Sequence, residues 1–152
     1  MTLEKIILKY SLPSKQDLEN EIGIIKFDKE EDGEESIIKE IISKLRDKIE
    51  KYISFLEDII QPDSSMISLQ ESNVFSENER EEIFNLLKNI IFLQRKYLLI
   101  NIDGNLNDKA NYFNELFSNW KQIKNSLKPI IKKSLSVWKE NSDDEVKQNY
   151  FG

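Results

Sequence analysis

The sequence contains neither cysteine nor histidine. Without cysteine there are no disulfides and no thiolate metal sites. Without histidine the usual general base is missing, and so are the imidazole metal ligand and the side chain that titrates in mild acid. Catalysis would fall to carboxylates, lysines, tyrosines or serines, which turns the expectation away from an enzyme. Glycine occurs four times and proline three, and no glycine-rich phosphate loop or nucleophile motif is among them. No run of about eighteen apolar residues occurs, so no membrane-spanning helix is expected. Near the N-terminus, Glu4 precedes only a short apolar run at Ile6-Ile7-Leu8, which reads as neither leader nor anchor. The expectation is a soluble cytoplasmic protein. Ala110 is the one alanine in a chain rich in Ile, Lys, Asn and Glu, a bias of genome composition that says nothing of function.

Three stretches carry apolar residues alternately three and four positions apart. Ile38, Ile42, Leu45, Ile49, Tyr52, Leu56 and Ile59 form the first; Ile83, Leu86, Ile90, Leu93, Tyr97 and Ile100 the second; Phe113, Leu116, Trp120, Ile123, Leu127 and Ile130 the third. Such spacing lines one side of an α-helix and makes a seam to be buried against another helix. The fold expected is all-α: a bundle of three long amphipathic helices with one or two short helices before them. At 152 residues the chain is long enough to hold a core without staples. One domain is expected over 1–140, followed by a polar acidic tail over 141–152.

Local signals refine this outline. Leu3, Ile6, Ile7 and Tyr10 share one face of a first short helix, and Pro13 ends it or bends the chain after it. Ser14 with Asp17 reads as the cap of a second, bringing Leu18, Ile22 and Ile25 into line. Gly23 weakens that helix, and 24–27 fits a brief extended piece equally well. The first long helix runs from about 34 to 60, with Pro62 after its end. Residues 62–75 read as a polar connector. Ser76-Glu77-Asn78-Glu79 is a capping box for the second long helix, which runs to about Asn101. A turn at Asp103-Gly104-Asn105 follows, with Gly104 able to take the left-handed conformation. The last helix starts at Asn107 or Asp108 and runs to about Glu140, kinked at Pro129. Tyr112, Phe113, Phe117 and Trp120 read as core.

The middle helix is apolar on two sides. Asn85, Lys88, Asn89, Arg95 and Lys96 mark its polar face, and Phe92 and Leu99 sit inside that face. Such a helix meets other elements on both sides, in the centre of a bundle or against a partner. Gln94 lies within the broad apolar face. It needs hydrogen-bond partners if buried, and otherwise faces a gap that water reaches.

The net charge of −6 is unevenly spread: residues 116–139 hold six lysines and no acid. Lys121, Lys124, Lys128 and Lys132 share a broad face, with Lys133 and Lys139 nearby. That face fits a phosphate backbone, an acidic protein or an anionic membrane, or it is an ordinary solvated face. It holds no arginine to read bases. The acidic loop Asp28-Lys29-Glu30-Glu31-Asp32-Gly33 starts like an EF-hand calcium loop. The match fails at Glu35, where an apolar residue belongs, and at Lys39, where a glutamate belongs. Asp103 to Asp108 fails in the same way, with Asp108 at the glycine position. Solvated loops are expected, and no metal or cofactor.

Lys44 to Ile49, and Ser76 to Arg80 leading into Ile83-Phe84 and Leu87, are slightly similar to the helical domain of archaeal GINS replication subunits. The shared pattern is a generic capped amphipathic helix, and that family's small β-domain has no counterpart here, so no role is carried over. The residues favour a non-catalytic interaction subunit or adaptor in a larger assembly, with Phe92, Leu99, Trp138, Tyr150 and Phe151 as partner contacts. Gln148-Asn149-Tyr150-Phe151 faintly resembles a sliding-clamp peptide, without its intervening apolar residue or spacing. The second reading is an accessory nucleic-acid binder using Lys121, Lys124, Lys128, Lys132 and Lys133 without sequence specificity. A carboxylate enzyme ranks third. Self-association fits the first reading, and no small-molecule substrate is indicated.

Overall fold

The computed structural model describes residues 2–23, 25 and 33–139. Among these the chain is all-α, with six helices and no strand. They are α1 (Leu3–Lys9), α2 (Lys15–Ile22), α3 (Glu34–Ile60), α4 (Met66–Asn73), α5 (Glu77–Asp103) and α6 (Leu106–Ser136). The three long helices and two short N-terminal ones are those the periodicity predicts. The acidic loop and the extended piece at 24–27, Ile25 and Gly33 apart, lie outside the described residues, as does the tail with Tyr150 and Phe151.

The chain divides into two compact units, Met1–Lys51 with Ile91–Trp120, and Tyr52–Ile90 with Lys121–Gly152. Each long helix contributes to both.

In the first unit, the Thr2 hydroxyl caps α1 by accepting from the Lys5 amide at 3.3 Å. The helix ends at Lys9, ahead of the expected Pro13, because Ser11 adopts φ 53°. Ser14 caps α2 as read, accepting from the Asp17 amide at 3.1 Å. Gly23 closes it with φ 85°, a conformation open to glycine. Ile25 is buried although it lies beyond the helix. Ile6, Leu18, Ile38, Ile42, Leu45, Ile49, Phe113, Leu116 and Trp120 are almost fully buried. The aromatic cluster Tyr112, Phe113, Phe117 and Trp120 is core, as expected. Burying side chains of this size gives about 1.5–3 kcal/mol each relative to exposure, which offsets their ordering entropy. The Trp120 indole N–H donates to Glu21 Oε2 at 2.9 Å, and Lys48 Nζ donates to the Glu21 carbonyl at 2.6 Å.

Gly104 differs from expectation. It does not adopt the left-handed region. Its amide donates to the Ile100 carbonyl at 2.6 Å, and a Cβ there would collide with that same oxygen. Close approach, not handedness, requires the glycine. Asn105 and Asp108 then form a reciprocal cap: the Asp108 amide donates to Asn105 Oδ1 at 2.9 Å, and the Asn105 amide to Asp108 Oδ2 at 3.1 Å. This cap starts α6 at Leu106, one or two residues earlier than read.

In the second unit, Ile53, Leu56, Ile59, Phe75, Ile83, Leu87, Ile90, Ile123 and Leu127 are buried. The capping box forms as read, with Glu79 donating its amide to Ser76 Oγ at 3.2 Å and the Ser76 amide donating to Glu79 Oε1 at 3.0 Å. Helix α6 runs uninterrupted past Pro129 and stops at Ser136, short of Glu140.

The expected connector 62–75 holds a helix. Ser65 caps α4 by accepting from the Ser68 amide at 3.2 Å, and the polarity of this helix is inverted. Ser68 and Ser72 are buried, while Met66, Ile67 and Leu69 are exposed. Ser72 Oγ donates to the Ile59 carbonyl at 2.7 Å, which satisfies an orphan acceptor at the end of α3. Arg80 Nη2 donates to the Ser72 carbonyl at 2.8 Å.

Candidate functional site

Between Ile91 and Asp103, α5 has two unlike sides. Leu93 and Gln94 face inward, Gln94 only 5% exposed. Its Oε1 accepts from Arg46 Nε at 2.9 Å, and its Nε2 donates to the Arg46 carbonyl at 3.0 Å. Arg46 Nη2 donates to the Gln94 carbonyl at 3.2 Å, and the guanidinium lies 4.5 Å from the centre of the Tyr97 ring. Of the two readings of Gln94, the buried and partnered one holds. Tyr97 stacks on Tyr112 at 5.1 Å, and the Tyr112 hydroxyl donates to the Leu93 carbonyl at 2.8 Å. Burial pushes the Tyr112 phenol up to about 12. These contacts fix the inward side of α5 and so determine which residues point outward.

On the outward side, Phe92 is 64% exposed, Leu98 51%, Leu99 70% and Ile102 75%. At 100° per residue these four lie within about 60° of Arg95 on either side. Arg95 is itself exposed. Single exposed apolar residues are ordinary on protein surfaces, but several large ones on one helix face make a patch. Phe92 and Leu99 were singled out by sequence; Leu98 and Ile102 were not. Their signal is their place three and seven residues after Arg95, which lies on the polar face. Beside Leu99, a hollow of about 340 Å³ is lined by Lys96, Asp103, Asp108 and Glu115. Lys96 Nζ holds Glu115 at 2.8 Å. Among the described residues no three acids gather as a metal-holding group.

In the second unit, Trp138 follows the end of α6 and is 46% exposed, with Leu135 also exposed. Lys121, Lys128 and Lys132 are exposed and Lys124 is partly so. Lys133 departs from that face: its Nζ holds Glu79 at 2.6 Å and lies 5.6 Å from the Phe75 ring centre. The Lys133 ammonium, aided by the Ser76 amide, lowers the Glu79 carboxyl to about 2. This pair borders a groove of about 360 Å³ floored by Ile83, Leu86, Pro129 and Ile130.

Compared with known proteins, the chain matches no family model, no curated protein and no solved structure. Among the described residues, no helix is long and apolar enough to cross a membrane.

Proposed function

We propose that this protein is a non-catalytic helical interaction subunit that binds a protein partner through the outward face of α5. One observation supports the reading above others. Phe92, Leu98, Leu99 and Ile102 stand in water on one face of a helix whose other side buries Leu93 and Gln94. Covering such a face removes apolar area from water at about 25 cal/mol per Å². Anchors at helical spacing suit a groove-and-helix mode of recognition. Trp138 supplies an aromatic of the type that anchors interfaces, in the other unit. A cytoplasmic assembly containing further proteins is the setting this reading implies.

A photo-crosslinking side chain placed at position 99 tests the proposal in the native cell, with position 51 on the exposed side of α3 as control. A discrete adduct at 99 and none at 51 is expected. Equal labelling at both positions contradicts the proposal.

The nucleic-acid reading has narrower support. Lys121, Lys128 and Lys132 remain exposed on one face, but Lys133 is engaged by Glu79. Titration of labelled single- and double-stranded DNA at low and moderate salt decides it, because phosphate contacts weaken steeply with salt. Absence of binding at low salt removes this reading.

A further inference from the structure

We infer that the occupant of the α5 face is an amphipathic helix of another protein that carries a carboxylate in the middle of its apolar side, seated on Arg95. The inference rests on the reading of this face as a docking surface and names the chemistry of what docks.

Arg95 is the pivot. The chain has three arginines. Arg46 is held by Gln94 and Arg80 by the Ser72 carbonyl. Arg95 has no hydrogen bond or ion pair among the described residues. Its helical neighbours cannot supply one. One turn away stand Ile91, Phe92, Leu98 and Leu99, and two turns away Lys88 and Ile102. Among the described residues, the guanidinium therefore stands at the centre of an apolar face with no acid beside it.

Any partner that covers Phe92 and Leu99 also takes Arg95 out of water. A guanidinium buried without a counter-charge opposes docking, whereas a planar carboxylate matches it with two parallel hydrogen bonds. With no acid beside Arg95 among the described residues, the complementary carboxylate belongs to the partner, in the middle of its apolar side. The ridge Phe92, Arg95, Leu99, Ile102 follows the helix axis for about 15 Å, which suits the side-chain ridges of a second helix better than a crossing loop.

Two other occupants fit less well. A second copy offering the same face brings no acid, because residues 83–102 contain none. Where two such faces overlap in full, like charges meet. A bilayer surface would require Arg95 to sink with its apolar neighbours, whereas interfacial helices keep their cations on the polar flank.

The probe is a phage-displayed library of helical peptides with randomised apolar and central positions, selected against the full chain. Enriched peptides are expected to carry Asp or Glu between apolar positions. They should lose at least tenfold in affinity for R95Q and recover much of it on R95K. Selection against R95E is expected to replace the acid with Lys or Arg. Far-UV circular dichroism of each variant checks that the helices are intact. Peptides that need Phe92 and Leu99 but carry no acid and bind R95Q equally would overturn this inference and leave the docking face standing. If no enriched peptide depends on Phe92 or Leu99, or if the face instead binds phosphatidylserine vesicles, both readings fall; a second copy seated on the face overturns this inference alone.

Discussion

Arg46 and Gln94, on α3 and α5, hold each other through three hydrogen bonds, two of them to backbone carbonyls. An apolar residue in either place leaves Arg46 Nε or Gln94 Oε1 without its side-chain partner. The pair sets the rotation of α5 in its unit, and that rotation leaves Phe92, Leu98, Leu99 and Ile102 outward.

Gln94→Leu should destabilise the protein by about 1–3 kcal/mol, since it leaves Arg46 Nε without the side-chain oxygen it now meets. Urea unfolding measures this. A variant as stable as the parent would mean that the pair does not fix the helix.

The inverted helix α4 gives a pair of opposite expectations. Ser72→Ala removes the donor to the Ile59 carbonyl and should cost about 1 kcal/mol, while Met66→Lys should stay within about 0.5 kcal/mol of the parent. If the methionine change is the costlier one, the orientation of α4 is wrong.

Gly104→Ala forces a Cβ against the Ile100 carbonyl oxygen. The cost expected is about 1–3 kcal/mol, read as a lowered Tm. Full retention of Tm would refute the close approach at this turn.

The pH dependence has two edges. Glu79 is lowered from 4.5 to about 2 in the folded state, first by its bond to Lys133. A depressed carboxylate contributes stability that is present above its unfolded value. That contribution should be lost as pH falls from about 4.5 through about 2. Glu79→Gln should flatten this acid limb. Tyr112 is raised from 10.0 to about 12 by burial. Its share of stability is complete below 10.0 and should decline as pH rises through about 12. Phenolate absorbance of the parent against Tyr112→Phe follows the second edge; a tyrosine that ionises near 10 there would contradict its burial.

Much of the architecture was legible because the information was local. Three- and four-residue spacing gave the long helices, and Ser14 and the Ser76–Glu79 box gave two of the starts. What escaped depends on distant partners. Helix α4 buries serines and exposes Met66, Ile67 and Leu69, so its pattern carries no amphipathic signature toward the core. Lys133 lies 54 residues from Glu79, and nothing near it in the chain announces the pair. Gly104 looked like a turn glycine, and only the position of the Ile100 oxygen explains it. For the candidate face, Phe92 and Leu99 were visible as apolar residues among polar ones. Leu98 and Ile102 emerged only once the buried contacts of Gln94 fixed which way α5 is turned.

The most direct test of the central claim compares the parent with a Phe92→Asp, Leu99→Asp variant in two readouts, urea stability and co-isolation of bound protein from native cells. Both residues already stand in water, so stability should change by no more than about 0.5 kcal/mol per site, while specific co-isolated protein should disappear. Undiminished recovery of the same protein by a folded variant would contradict the account.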